Sequence, residues 1–293
     1  MAVVNTNVNA SIAQNALMKN ERSMNTAMER LSTGQRINAA KDDAAGLAIA
    51  SRMTSQIRGL DMAVRNANDA ISMISTADGA MTEVSNMLQR MRELALQSAN
   101  GTTTSDDRAY LNSEYQNLIT EIERIAQNTQ WNGRNILQGD ANGTGDSNVA
   151  FQVGANGGQT ISVDFGDISQ SGSTAFDDFN ISAASTGSFI TATTTGSALT
   201  TADAALTRID SAISAVSTQR ATFGASVNQL TYAIDNLASV KVNSEAARSR
   251  ISDTDYAVET SELARTQIIQ QAGTAMLAQA NQTAVGVLAL LRY

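Results

Sequence analysis

The stretch Met53-Thr-Ser-Gln-Ile57-Arg-Gly-Leu60-Asp-Met-Ala-Val64-Arg-Asn-Ala67-Asn-Asp-Ala-Ile71-Ser-Met-Ile74 decides the fold. Its apolar positions alternate in steps of four and three. Past Ile74 the stripe resumes at Met81, Val84, Leu88, Met91 and Ala95. This is the seam of a coiled coil or a helical bundle. One helix over 44–99 would be ~84 Å long at 1.5 Å per residue. Asn100-Gly101 is a stop signal for it. Nothing interrupts the stretch: the chain contains no Pro, where average usage would give roughly 15. Pro removes a helical donor and clashes with the preceding turn, so its absence suits long unbroken helices.

The same rhythm appears on both sides of this stretch. Ser105 is the predicted N-cap of a second helix, with Asp106 and Asp107 in its first turn. Its stripe is Leu111, Tyr115, Leu118, Ile122 and Ile125, and Asn132-Gly133 reads as a turn beyond it. A third long helix is predicted from near Thr201. Its stripe is Leu206, Ile209, Ile213 and Val216, then Phe223, Val227, Leu230, Ile234 and Leu237. Arg220 falls between the two runs and is expected to bury its stem and keep its head in water.

Both ends are helical by the same criterion. Leu17, Met24 and Leu31 are seven apart, as are Ile269, Met276, Thr283 and Leu290, with Ala280 and Val287 beside them. These stripes are narrow and flanked by Ala, Asn and Gln. A lone helix of this kind buries too little to offset an ordering cost of about 1–2 kcal/mol per residue. The ends are therefore expected to order only against partners. The competing reading packs them on the central helices of the same chain.

The middle differs. Residues 139–200 are rich in Gly, Ser, Thr and Asp. Val149-Ala-Phe-Gln-Val153 and Thr160-Ile-Ser-Val-Asp-Phe165 read as two strands around Gly154-Ala-Asn-Gly-Gly158, a β-hairpin. Between Arg134 and Arg208 stand seven Asp and no Lys, Arg or Glu, so this segment carries -7 of the formal net charge of -8.

Several function classes fall away. With no His and no Cys, the commonest zinc and copper sites and the His-dependent nucleophilic triads cannot form. The acidic balance opposes nucleic-acid binding, which needs clustered Lys and Arg. The Gly-rich turns lack the Gly-Lys-Ser/Thr of a phosphate loop. Asp42-Asp43 and Asp177-Asp178 are adjacent pairs, and adjacent helical side chains do not share a face. No EF-hand spacing is present. No enzyme signature emerges, and no cofactor or metal is called for. No apolar run is long enough to span a membrane, and the first residues lack the basic and apolar regions of a cleaved secretory signal. Amphipathic ends without a core of their own point to a self-assembling structural subunit, and head-to-tail association that does not close makes an open helical filament.

Specific motifs then carry a resemblance. Glu29-Arg-Leu-Ser-Thr-Gly-Gln-Arg-Ile-Asn38, followed by Ala39-Ala-Lys-Asp-Asp-Ala-Ala-Gly-Leu-Ala-Ile-Ala50, resembles the N-terminal signature of bacterial flagellin. Arg65-Asn-Ala-Asn-Asp69, Leu88-Gln-Arg-Met-Arg-Glu-Leu-Ala-Leu-Gln-Ser-Ala-Asn100 and Asn128-Thr-Gln-Trp-Asn-Gly133 extend it. Ala278-Gln-Ala-Asn-Gln282 and Leu288-Ala-Leu-Leu-Arg292 resemble the flagellin C-terminus. The likeness covers about 1–140 and 200–293.

The resemblance implies a mainly α fold: a long antiparallel coiled coil and helical bundle built from the N- and C-terminal segments, with a small β-hairpin region inserted in the middle. It implies an inner coiled-coil domain of 1–43 with 254–293, a helical bundle of 44–138 with 200–253, and a short surface insert of 139–199. It implies a subunit of the extracellular flagellar filament, exported by the flagellar type III apparatus without a cleaved signal. Polymerisation through the inner coiled coil is expected to use Leu17, Met24, Leu31, Ile269, Met276, Val287 and Leu290. Implied partners are other copies of the chain, cap and hook-filament junction proteins, and an export chaperone on the C-terminal helix. Host sensors are implied too: Toll-like receptor 5 through Gln89, Arg90, Leu94 and Glu114, and NAIP-type sensors through Leu288, Leu290 and Leu291. Ser and Thr residues over 169–201 are the expected place for O-glycosylation. The rival readings are a hook-filament junction protein and an enzyme-bearing flagellin, the latter disfavoured by zero His.

Overall fold

A computed structural model describes residues 7–143, 145–168 and 195–290, without side-chain detail at 195–201 and 283–290. Asp177, Asp178 and Leu291 lie outside the described residues, as does most of the predicted glycosylation segment. The described elements run α1 (Val8–Thr33), α2 (Ala44–Ala99), α3 (Ser105–Asn128), β1 (Gln130–Trp131), β2 (Arg134–Asn135), β3 (Asn148–Gln152), β4 (Thr160–Asp164), α4 (Thr195–Ser252) and α5 (Tyr256–Leu290). The expected mainly α class with a small inserted hairpin is what the chain adopts. Helix α2 spans the predicted range. Helix α3 is capped one residue earlier than predicted: the Thr104 hydroxyl accepts from Asp107 N, and the Asp107 carboxylate accepts from Thr104 N, a reciprocal capping box.

The chain divides into two compact units, one of residues 1–57 and 242–293, the other of 58–241. The larger unit holds the main core. Along α2 the predicted positions Ala67, Ile74, Met81, Val84, Leu88, Met91 and Ala95 are buried, and Ile71 is half-buried against them. From α3 come Tyr115, Ile119 and Ile122, and from α4 come Ile209, Val216, Phe223 and Leu230. Arg108 is buried at the start of α3 and donates to the carbonyls of Ser98 (3.1 Å) and Asn100 (3.4 Å). It thereby supplies the cation that the C-terminal end of α2 lacks in its own last turn.

Two antiparallel hairpins complete this unit. β1 and β2 meet at the Asn132-Gly133 turn, where both residues have positive φ, 51° and 77°, as a tight hairpin requires. β3 pairs with β4 from Asn148↔Asp164 to Gln152↔Thr160. The alternation puts Val163 into the core, and Phe165 just beyond β4 packs on Phe223 of α4 with ring centres 5.5 Å apart. The Gln219 amide donates to Asp164 O at 2.6 Å. Gln219 is therefore the seam residue between Val216 and Phe223. Arg220, expected to snorkel there, sits one step round the helix and pairs with Asp78 at 2.7 Å. At the hairpin tip, Ala155 approaches α2 so closely that a Cβ on Gly59 would lie 3.1 Å from the Ala155 methyl.

Candidate functional site: the paired terminal helices

The smaller unit is built on α1 and α5, which pair with each other. Asn7 caps α1 by accepting from Ala10 N, and its amide donates to Ala280 O at 3.0 Å. Gly34, with φ 70°, ends α1 in the left-handed conformation that Gly adopts without strain. Two short crossings then tie the chain to the start of α5: Arg36 N to Ser252 O at 2.7 Å and Thr254 N to Gly34 O at 3.0 Å.

Burial shows which faces meet. On α1 a line of shielded positions runs through Ala13, Leu17, Asn20, Met24, Ala27 and Leu31; on α5 it runs through Glu259, Leu263, Thr266, Gln270, Gly273, Leu277 and Ala280. Both series keep the four-three rhythm of an antiparallel coiled-coil seam. Gly273 lets Leu17 approach so closely that an added Cβ would clash with the Leu17 side-chain end. Asn20 is 8% exposed, and its amide donates to Thr266 O at 2.7 Å and to Gln270 Oε1 at 3.2 Å. A polar group buried in an apolar seam is costly unless bonded, so this arrangement penalises other registers.

The structure brings Leu17, Met24 and Leu31 to the seam. It does not bring Ile269 and Met276 there: they are 41% and 66% exposed. The reason lies in composition. Helix α5 offers apolar residues in two adjacent phases, and the phase of Leu263, Gly273 and Leu277 fits α1 more closely. Val287, Leu288 and Leu290 fall within α5, but their side chains are not described. Asn20, Thr266 and Gln270 were missed in the sequence because a hydrophobic stripe ignores polar seam residues. The spacing from Leu17 through Asn20 to Met24 was the available signal.

A second predicted set lies in the larger unit. Gln89 and Arg90 are exposed on α2, and Glu114 is exposed on α3. Arg90 bridges the helices, with Nη2 2.9 Å from Glu114 and Nη1 2.9 Å from Glu93. Hydrogen bonds to Glu93 and then to Glu114 raise the guanidinium pKa further above its ordinary value. Leu94 is 0% exposed and packs in the core, so any part it has in a receptor surface is indirect. Among the described residues no group of acidic side chains is placed to hold a metal ion, and no helix is long and apolar enough to cross a membrane.

Comparison with known proteins adds to this geometry. The family model for the bacterial flagellin N-terminal helical region matches residues 4–142, and that for the C-terminal helical region matches residues 206–291. The chain is similar to a flagellin of Halalkalibacterium halodurans, 45% identical over 290 residues, covering 99% of this chain and 100% of that relative. It is also similar to flagellin A of Vibrio cholerae, 37% identical over 380 aligned positions and 99% of each chain. Among solved structures, a putative flagellar hook-associated protein from Vibrio parahaemolyticus superposes with a TM-score of 0.60. That likeness covers 72% of this chain and 100% of the other at 18% identity, and it speaks to fold alone. With both family models matched in order and relatives alike along their full length, the chain belongs to the bacterial flagellin family, whose members are structural subunits of the extracellular flagellar filament and not enzymes.

Proposed function

We propose that α1 and α5 form the surface through which copies of this chain assemble, and that the two helices gain most of their stability in the filament. One observation carries the reading. The pair leaves Val8, Ile12, Met18 and Met28 on α1 and Val258, Ile268, Ile269 and Met276 on α5 exposed. So many large apolar side chains on one two-helix unit mark an interaction surface. Covering them with identical helices would make folding and polymerisation one step. Removing 1–34 or 265–293 is expected to abolish polymerisation while the remaining chain keeps its helical circular dichroism and sediments as a monomer. Normal filaments from either truncation would overturn the reading.

The family resemblance supports finer partners. Export through the flagellar type III apparatus would deliver the chain unfolded, with a chaperone on α5, to a cap at the growing end. Hook-filament junction proteins would meet the first subunits. The exposed Arg90–Glu114 bridge with Gln89 is the surface offered to Toll-like receptor 5, held in shape by buried Leu94. Leu288, Leu290 and Leu291 would serve NAIP-type sensors. Ser and Thr residues over 169–201 would carry O-glycans, which intact mass above 30.8 kDa would reveal.

A further inference from the structure

One flank of the α1–α5 pair carries a groove of about 550 Å³. Lys19, Arg22 and Arg30 line it from α1, and Val258, Glu259 and Glu262 line it from α5. Its charges are unevenly satisfied. Glu262 is engaged by Arg265, which also holds its carboxyl below the ordinary glutamate range. Glu259 is 8% exposed, and its closest cation is Arg30 at 3.5 Å, a loose contact for so buried a carboxylate. The Arg30 Nε is buried and has no acceptor. Among the described residues neither Lys19 nor Arg22 makes an ion pair. The Ser23 and Thr26 hydroxyls that share the groove donate back to carbonyls of their own helix. The groove thus presents three cations against a single carboxylate that no second cation holds. Such a set takes an anionic group.

The same helix carries the complementary charge. Glu21 is exposed and makes no ion pair among the described residues. It stands two positions from Lys19, about 200° round the helix at 3.6 residues per turn, and so on the opposite flank. The exposed apolar residues continue the groove: the helical phase that carries Val258 and Glu262 also carries Ile269 and Met276. A basic groove with an apolar extension and a single carboxylate on the opposite flank of one rod form the two halves of a heterologous contact.

We propose that this groove is a socket for the Glu21 carboxylate of a neighbouring copy. In it the carboxylate accepts from Lys19 and Arg22, which line the groove, while Ile269 and Met276 are covered by the same neighbour. The inference rests on the assembly reading above and deepens it by naming the register-setting contact. Elongation from wild-type seeds, followed by light scattering and electron microscopy, tests it with the full chain. Glu21→Lys alone, and Lys19→Glu with Arg22→Glu alone, should each elongate at least tenfold more slowly with unchanged circular dichroism. The triple charge swap should elongate on seeds of itself at a rate near that of the wild type. Wild-type rates from the single-sided variants, or failure of the triple swap to recover, would overturn the socket and leave the assembly reading standing. Failure of the wild-type chain to elongate would instead overturn the assembly reading.

Discussion

Tyr115 shows how one residue reports on the core. It lies on the α3 stripe, is 2% exposed, and burial pushes its phenol pKa from 10.0 up to about 12, with the Arg208 charge acting weakly the other way. The neutral phenol is thus favoured in the folded chain. The sign follows from linkage: the stabilisation is complete below pH 10 and is lost as pH rises from 10 through about 12, because the unfolded chain ionises first. Two pKa units correspond to about 2–3 kcal/mol at the top of that window. Denaturation midpoints should fall across this range, and Tyr115→Phe should flatten most of that fall. A Tyr115→Phe profile as steep as the wild-type one would show that some other group drives the alkaline loss. Arg108 makes the complementary point: a buried cation is tolerated because it faces helix-end carbonyls.

At the scale of elements, the hairpin of β3 and β4 is held to the helices by a few contacts. Phe165 and Phe223 are both almost fully buried and pack on each other. Phe223→Ala is expected to cost about 3–5 kcal/mol in chemical denaturation, whereas Tyr232→Ala on the same helix, 75% exposed, should stay within about 0.5 kcal/mol. Equal effects from the two would contradict the packing. Most of this level was legible beforehand. The long stripes placed α2, α3 and much of α4, because a four-three rhythm sustained over many turns has one helical solution. What escaped notice was polar or positional. Gln219 rather than Arg220 fills the α4 seam because its short amide can reach Asp164 O, a partner 55 residues away in sequence. The seam phase of α5 escaped for a related reason. Ile269 and Met276 are larger and more conspicuous than Gly273, yet it is the small residue that lets α1 come close. The residues Gln89, Arg90, Leu94 and Glu114 were legible as a motif, but the burial of Leu94 depends on tertiary packing that local spacing does not encode.

At the scale of the whole molecule the two units are of unequal quality. The unit of 58–241 has a continuous apolar core. The unit of 1–57 with 242–293 has a seam interrupted by Asn20, Thr266 and Gln270 and a surface rich in exposed apolar side chains. Charge is just as unequal. Seven Asp between Arg134 and Arg208 hold almost the whole net charge, and the remaining sequence has 20 basic against 21 acidic residues. The terminal helices therefore meet little net repulsion when copies approach. From the residue pattern alone the ends were expected either to order only on partners or to lie on the central helices, and the family resemblance implied an inner coiled coil of the two; α1 and α5 pair with each other. That pairing buries one face of each helix, and the assembly reading proposed above then requires their stability to be low in an isolated copy. Hydrogen exchange on depolymerised protein should accordingly show α1 and α5 amides exchanging at least about 100-fold faster than those of α2 around Met81 and Leu88. In filaments the α1 and α5 rates should drop by a comparable factor, because neighbours then cover Ile12, Ile269 and Met276. Equal protection of the terminal helices and the core in the depolymerised chain would show that the α1–α5 pair is self-sufficient, and that assembly adds packing without completing the fold.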